Sequence, residues 1–221
     1  MKKVLILDGS TRNMGNTSIM IQHFIEGASQ NTDQTGHILA KDLDIKYCNG
    51  CLRCNLIKRC SIRNDDWEDI SQKINEADVL VFASPIYFHY VTAPLKNIID
   101  RFRSFVHVQI TETGLIHTPL NNWNKDLVLL LSMGSSDDSD ADPVIELFDY
   151  MKEVLGDRNR LHVIKGTRLA VIKQIQKSEE ELKLLYPKLQ LDEKLAEDDY
   201  KRNKKLLDSC FQLGSKLTTS N

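Results

Sequence analysis

The feature that most restricts the fold of this sequence is a set of strand-length apolar runs: Lys3–Leu7 (KVLIL), Asp78–Ala83 (DVLVFA) and Asp126–Ser132. A strand that is apolar at nearly every position is buried on both faces, as in parallel sheets covered by helices. Two weaker strand-like stretches complete the set, Gly36–Ile45 and Leu161–Ile172, the latter interrupted by Lys165–Gly166. Between them lie helical patterns. Thr17–Ala28 starts at a cap supplied by Asn16 or Thr17, and Asn64–Asp66 caps a helix carrying Trp67, Ile70 and Ile74. Ala93–Phe102 and Asp142–Leu155 follow, whereas residues 104–124 read as irregular. Alternation of such strands with helices predicts an open, doubly wound α/β domain with a five-stranded parallel sheet in the order 2-1-3-4-5. That domain is expected over residues 1–175. Residues 176–221 are charged and amphipathic, divided by Pro187, and predict a C-terminal helical extension packed on the domain or on a partner subunit.

Composition narrows the function classes. The 221 residues carry a net charge of −2, without the clustered basic excess that nucleic-acid binding requires. No apolar run approaches the roughly 20 residues that span a bilayer. The opening MKKVLILDGS has a short apolar stretch closed by Asp8, so export is not expected and the cytoplasm is. Of five cysteines, Cys48, Cys51, Cys54 and Cys60 fall within thirteen residues and Cys210 stands alone. In a reducing compartment such a group points to metal ligation or redox work rather than structural disulfides.

Two segments carry chemistry. The loop Gly9–Ser18 (GSTRNMGNTS) offers hydroxyls at Ser10, Thr11, Thr17 and Ser18 and a guanidinium at Arg12, and it leads into a helix N-terminus. That composition suits one phosphate group. It lacks the Gly-Lys-Ser/Thr ending of a triphosphate loop and the GxGxxG of dinucleotide folds. The alternative is a capped polar turn. The Cys48-x2-Cys51-x2-Cys54-x5-Cys60 run leaves three readings open: an iron–sulfur cluster, a redox-active or reversible disulfide, and a loop packed by its thiols. Zinc fits poorly, since its sites favour two Cys-x-x-Cys knuckles set further apart. The scattered histidines have no metal spacing, His89 reads as a solvent-facing loop residue, and the acidic run Asp137–Asp142 reads as a solvated loop. Ser135–Ser136 lacks a nucleophile-elbow context, so hydrolase chemistry has no support.

GSTRNMGNT resembles the GSPR-x-x-GNT loop of the flavodoxin-like NAD(P)H-dependent FMN reductases, with Thr11 where proline is usual. Ala83–Arg101 (ASPIYFHYVTAPLKNIIDR) resembles the segment that packs under and beside the flavin in that family. The resemblance implies a flavodoxin-like fold. It implies FMN phosphate contacts from Ser10, Arg12, Asn16, Thr17 and Ser18, and flavin-ring contacts from Pro85, Ile86, Tyr87 and Phe88. By position rather than by sequence, Met133, Gly134 and Ser135 would form a third ring-contacting loop. The cysteine run is similar to that of the iron–sulfur flavoproteins of the same superfamily, which implies a [4Fe–4S] cluster on Cys48, Cys51, Cys54 and Cys60.

The activity so implied is electron transfer from NAD(P)H through FMN to a quinone, a free flavin, a metal, or an azo or nitro compound. Flavin N5 would carry the chemistry, and no catalytic acid or base of the chain is required. An iron–sulfur flavoprotein electron carrier serving a redox-protein partner is the first alternative, and a flavodoxin-type carrier without turnover the second. The family also implies a homodimer or homotetramer, with 104–124 and the C-terminal extension as contact surfaces.

Overall fold

A computed structural model describes residues 1–219. Its main sheet has five parallel strands: β1 (Val4–Asp8), β2 (Thr35–Leu39), β3 (Val79–Pro85), β6 (Asp126–Ser132) and β7 (Arg160–Gly166). They lie in the order β2-β1-β3-β6-β7, which is the expected order once a separate hairpin is set aside. Val4 pairs with Thr35 on one side and Val79 on the other, Val79 with Asp126, and Asp126 with Arg160. All the strands therefore start level, and the loops after them open at a common edge.

The two-residue period of each strand divides the core in two. Leu5, Leu7, Leu80, Phe82, Leu127 and Leu129 face a layer made by α3 (Trp67–Glu76), α4 (Ala93–Arg101) and α5 (Asp142–Leu155). Val4, Ile6, Val79, Val81, Val128 and Leu130 face α1 (Asn16–Ala28) and α7 (Leu195–Thr218). The first layer is aromatic: Phe82 meets Phe148 edge-on at 4.6 Å, and Phe105 packs against Trp67 and Trp123. Among the described residues no helix is long and apolar enough to cross a membrane.

Four local features differ from the sequence reading. The second strand ends at Leu39, short of Ile45, because Ala40–Asp42 turn as a 3-10 helix. Residues 104–124 contain an antiparallel hairpin, β4 (Val106–Thr111) and β5 (Gly114–Pro119). Its apolar residues do not alternate cleanly, because Ile110, Leu115 and Ile116 point outward while Val106 and Val108 are buried, so the pattern looks irregular. The last strand ends at Gly166, and the chain turns off the sheet through Arg168, whose φ is +53°. The cap of α1 is Gly15, with no side-chain bond; the side chains of Asn16 and Thr17 turn elsewhere.

The C-terminal segment is helical, with α6 (Glu179–Leu185) opened by a Ser178/Glu181 capping box and followed by α7. α7 lies along α1 at backbone contact. A Cβ at Gly27 would collide with the carbonyl of Phe211, and one at Gly214 with the carbonyl of Phe24. Gly27→Ala should therefore push the two helices apart and lower stability by about 1–3 kcal/mol, as over-packing does. Urea unfolding measures this; an unchanged midpoint would show that the crossing tolerates a methyl group.

Candidate functional site

The loop after β1 is fixed by contacts that leave no room for a side chain at Gly9. Its N–H donates to the Ala83 carbonyl at 2.7 Å, and its carbonyl accepts the Thr92 hydroxyl at 2.7 Å. A Cβ there would lie 2.8 Å from Thr92 Oγ1 and 3.0 Å from Leu95 Cβ. Ser10 is then pinned by its N–H to the buried carboxylate of Asp8 at 2.7 Å, while its buried hydroxyl has no partner in the protein. Directly beyond, α1 begins with neither a side-chain cap nor an acidic residue in its first turn. Its first N–H groups are unsatisfied and carry the positive end of the helix dipole. With the exposed Arg12 beside them, an orphan hydroxyl and free amides make a cradle for an anion.

Asn16 and Thr17, both read from sequence as phosphate contacts, use their side chains otherwise. Asn16 Nδ2 donates to the carbonyls of Leu169 and Val171 at 3.0 and 2.8 Å, and its Oδ1 accepts the Ile175 N–H at 3.1 Å. Thr17 Oγ1 shares a 2.7 Å hydrogen bond with Ser132 Oγ. What these two residues can offer an anion is backbone N–H.

The cradle opens into a slot of about 300 Å³, a size at the lower end for a small-molecule site. Pro85, Ile86 and Tyr87 form one wall and Ser132, Met133 and Gly134 another. The two walls are joined by the Ile86 N–H to the Ser132 carbonyl at 2.8 Å. A third wall, Leu169, Ala170 and Ile172, comes from the segment after β7 and carries no motif. Its only advance signal is the break at Lys165–Gly166.

Ser18, Phe88 and Ser135 stand outside these walls. Phe88 and His89 occupy the centre of a tight turn closed by reciprocal Tyr87–Tyr90 bonds of 2.9 and 3.0 Å, with φ of +50° and +61°. Both centres left-handed is the hairpin type that favours Asn and Gly, so two large side chains there are strained. The ring of Phe88 projects fully into solvent. His89 is exposed as well and faces Asp140 at 3.5 Å.

Cys48, Cys51, Cys54 and Cys60 line one recess, together with Arg101, Arg103 and Ser104, and Cys54 opens the short helix α2 (Cys54–Ile57). Arg101 Nη2 donates to Cys60 Sγ at 3.3 Å and Arg103 Nη1 to Cys54 Sγ at 3.6 Å. Arg101 is itself buried, paired with Asp65 at 2.5 Å, donating to the Lys46 carbonyl and seated 5.1 Å over the Trp67 ring. Burial pushes the Asp65 carboxyl up, but Arg101 and backbone N–H groups outweigh it and hold it below the usual range. Among the described residues no three Cys, His, Asp or Glu side chains gather closely enough for a single metal ion. The recess thus offers four thiols, spread rather than clenched, beside two cations.

The sequence profile of the NADPH-dependent FMN reductase family matches residues 2–171. An iron-sulfur flavoprotein of Methanocaldococcus jannaschii is 35% identical over 101 residues, covering 46% of this chain and 52% of that protein. One from Archaeoglobus fulgidus is 34% identical over 107 residues, covering 48% of each chain. The chain thus spans about half the length of the iron-sulfur flavoproteins it matches. Among solved structures, an FMN-dependent NADH-azoreductase of Bacillus anthracis in complex with FMN superposes with a TM-score of 0.65 at 15% identity, covering 99% of this chain and 100% of that one. An NAD(P)H:quinone oxidoreductase of Methanothermobacter marburgensis gives 0.63 at 15% identity, with 98% of each chain covered. At such identities the superpositions establish the flavodoxin-like fold.

The thiols differ in a way that alkylation can read. The hydroxyl of Ser61 lowers the pKa of exposed Cys51, burial raises that of Cys54, and burial pushes Cys210 up to about 12. In chelator-treated protein at mild pH, iodoacetamide should modify Cys51 first and Cys54 and Cys210 last, as followed by peptide mass mapping. Early modification of Cys210 would contradict the packing of α7 on the core.

Proposed function

The chain belongs to the NADPH-dependent FMN reductase family, and from that premise we propose that it is an FMN-dependent oxidoreductase. It would take electrons from NAD(P)H and pass them to a small acceptor: a quinone, a free flavin, a metal, or an azo or nitro compound. The observation that carries this reading is the buried, unpartnered Ser10 hydroxyl beside the uncapped start of α1, at the mouth of a partly apolar slot. A phosphate ester on a flat ring system matches that pairing of anion cradle and slot.

In this reading Ser10, Arg12 and the first backbone N–H groups of α1, from Asn16 to Ser18, hold the phosphate. Pro85, Ile86 and Tyr87 line one edge of the ring, and Met133 and Gly134 the other. Ser135 and Phe88, outside the slot walls, would act at its rim. Bound FMN supplies the ability to accept an electron pair from a nicotinamide and to release it to an acceptor. The chain orients that ring and walls it from water on its inner side. It leaves an outer face open beside Tyr87, which is 43% exposed. No acid or base of the protein is needed for a transfer carried by the cofactor. The cytoplasm is the compartment we assign, because it keeps such a group of thiols reduced.

A second reading rests on the four cysteines that share one recess. There Cys48, Cys51, Cys54 and Cys60 would hold a [4Fe–4S] cluster and the acceptor would be a redox protein. Arg101 and Arg103, already bonded to two of the sulfurs, would offset the negative charge of cluster and thiolates. Anaerobically purified protein with flavin bands and about four irons and four sulfides per chain would favour it; negligible iron would leave the simple reductase.

The primary reading predicts that FMN binds the apo-protein with quenching of its fluorescence. Ser10→Ala and Arg12→Ala should each weaken that binding, the latter by about 1.5–3 kcal/mol, the worth of a hydrogen bond to a charged group. Equal affinity in Arg12→Ala and parent would remove Arg12 from the phosphate site. Absence of NADH and NADPH oxidation with quinone or azo-dye acceptors would leave a carrier rather than an enzyme.

We further propose a homodimer or homotetramer, supported by apolar exposure at Phe88 and on the hairpin at Ile110, Leu115 and Ile116. Ile110→Glu with Ile116→Glu should delay elution in size-exclusion chromatography. An unchanged elution volume would exclude the hairpin as the contact.

A further inference from the structure

The third wall of the slot, residues 167–172, is gripped from two sides. From inside, Asn16 holds the carbonyls of Leu169 and Val171, and Arg12 Nη1 reaches the Ala170 carbonyl at 3.4 Å. From outside, the grip comes from α7, far along the sequence and away from the slot. Asp199 is fully buried and takes both arms of a fork from Arg168, Nε at 2.8 Å and Nη2 at 2.6 Å. The same carboxylate accepts the Tyr186 hydroxyl at 2.5 Å and pairs with Arg202 Nη1 at 2.5 Å. Arg202 also donates through Nη2 to the Thr167 carbonyl at 3.2 Å. One carboxylate therefore ties three donors, two of which sit on or bond to the residues that begin the wall.

The wall has reason to need such a tie. Arg168 adopts the left-handed conformation, with φ of +53°, which is disfavoured for a non-glycine residue. A strained conformation of that kind persists only where its surroundings over-determine it. The adjacent Leu169 and Ala170 are slot residues, and the Arg168 and Leu169 N–H groups bond to the Ser135 and Met133 carbonyls at 2.7 and 2.8 Å. A change in the backbone at 168 thus reaches two walls of the slot together.

We propose that Asp199, through Arg168, is a positioning residue for the cofactor site: α7 is a strut that sets the third wall of the slot. The inference rests on the flavin reading of that slot. It makes the C-terminal segment part of the binding machinery, although none of its described residues lines the cleft. Tyr186 belongs to the same assembly, as the hydroxyl that completes the carboxylate's shell.

The test compares Asp199→Asn, Arg168→Lys and the milder Tyr186→Phe with a matched control. Asp126→Asn also removes a buried carboxylate, one bonded to Arg160 and His162 at the opposite end of the sheet. The readouts are FMN titration by fluorescence, the visible spectrum and reduction potential of the bound flavin, and hydrogen exchange of segment 167–173 in apo-protein. Asp199→Asn should raise the FMN dissociation constant by roughly three- to thirty-fold, the range of coupling through a packed network, and speed exchange at 167–173. It should also shift the bound flavin's spectrum or potential. Arg168→Lys should follow it, since an ammonium cannot reproduce the fork, and Tyr186→Phe should give a smaller effect in the same direction. Asp126→Asn should lower the unfolding midpoint and leave FMN affinity, spectrum and exchange at 167–173 as in the parent.

Parent-like FMN binding and exchange in Asp199→Asn would overturn the proposal. So would a loss of affinity in every variant, Asp126→Asn included, that merely tracks the loss of stability. If Asp199→Asn does not fold, Tyr186→Phe with parent-like exchange and affinity overturns it. A parent that binds no FMN would bring down the flavin reading and the inference with it, an outcome distinct from the others.

Discussion

The arrangement of the site depends on one buried hydrogen bond, from the Thr92 hydroxyl to the carbonyl of Gly9. It joins the turn after the first strand to the entry of α4, which follows the third. The Thr92 N–H in turn bonds to Ser84 Oγ, so the end of β3 is held at the same point. Any side chain at position 9 would collide with that hydroxyl and with Leu95. Because the two strands run level from Val4 and Val79, tying their exits together brings the anion cradle and the flat-walled slot side by side. Either feature alone is a common turn. Their juxtaposition makes a place where a ring and its phosphate can lie together, beside the first strand of a doubly wound sheet.

Much of this was legible in the sequence because the physics that sets it is local. Continuous apolar runs specify buried parallel strands, and the sheet order follows from alternation with helices, since parallel neighbours need crossovers. The glycine and hydroxyl residues at 9–18 and Pro85–Tyr87 are written next to the strands that carry them. The four cysteines share a recess because their spacing keeps them in one loop. The remainder is set by tertiary partners the sequence does not display. Nothing near Asn16 says that its amide is consumed by carbonyls more than 150 positions away, or that Gly15 rather than Asn16 caps the helix. Leu169, Ala170 and Ile172 form a wall only because a left-handed Arg168 turns the chain, and its partner Asp199 looks in the sequence like one more charge on an amphipathic helix. The β4–β5 hairpin escaped for a related reason, its apolar residues facing outward as well as inward.

The two arginines of the cysteine recess belong to a different kind of design. Arg101 is fully buried, and its charge is balanced by the Asp65 carboxylate and spread over the face of Trp67. Breaking such a pair leaves a buried charge uncompensated, so its members are held as a unit. The orientation it gives Arg101 Nη2 toward Cys60 is therefore rigid, while the Cys51 side of the recess is exposed. The recess is thus rigid at the Cys60 edge and open at the Cys51 edge.

The diversion of Asn16 explains why the start of α1 stays available. At a helix start, Asn, Ser or Thr commonly turns its side chain back onto the free N–H groups, which satisfies them and removes them from use. Here Asn16 lies one residue inside the helix and its amide is spent on the wall at 169–175, while Thr17 is spent on Ser132. Both side chains therefore link the cradle to the other walls of the slot instead of filling it. An anion that settles on the unpartnered N–H groups pulls on a turn whose side chains hold the Ser132 and Leu169 segments. The same residues that leave the cradle open thus fix the width of the slot beside it.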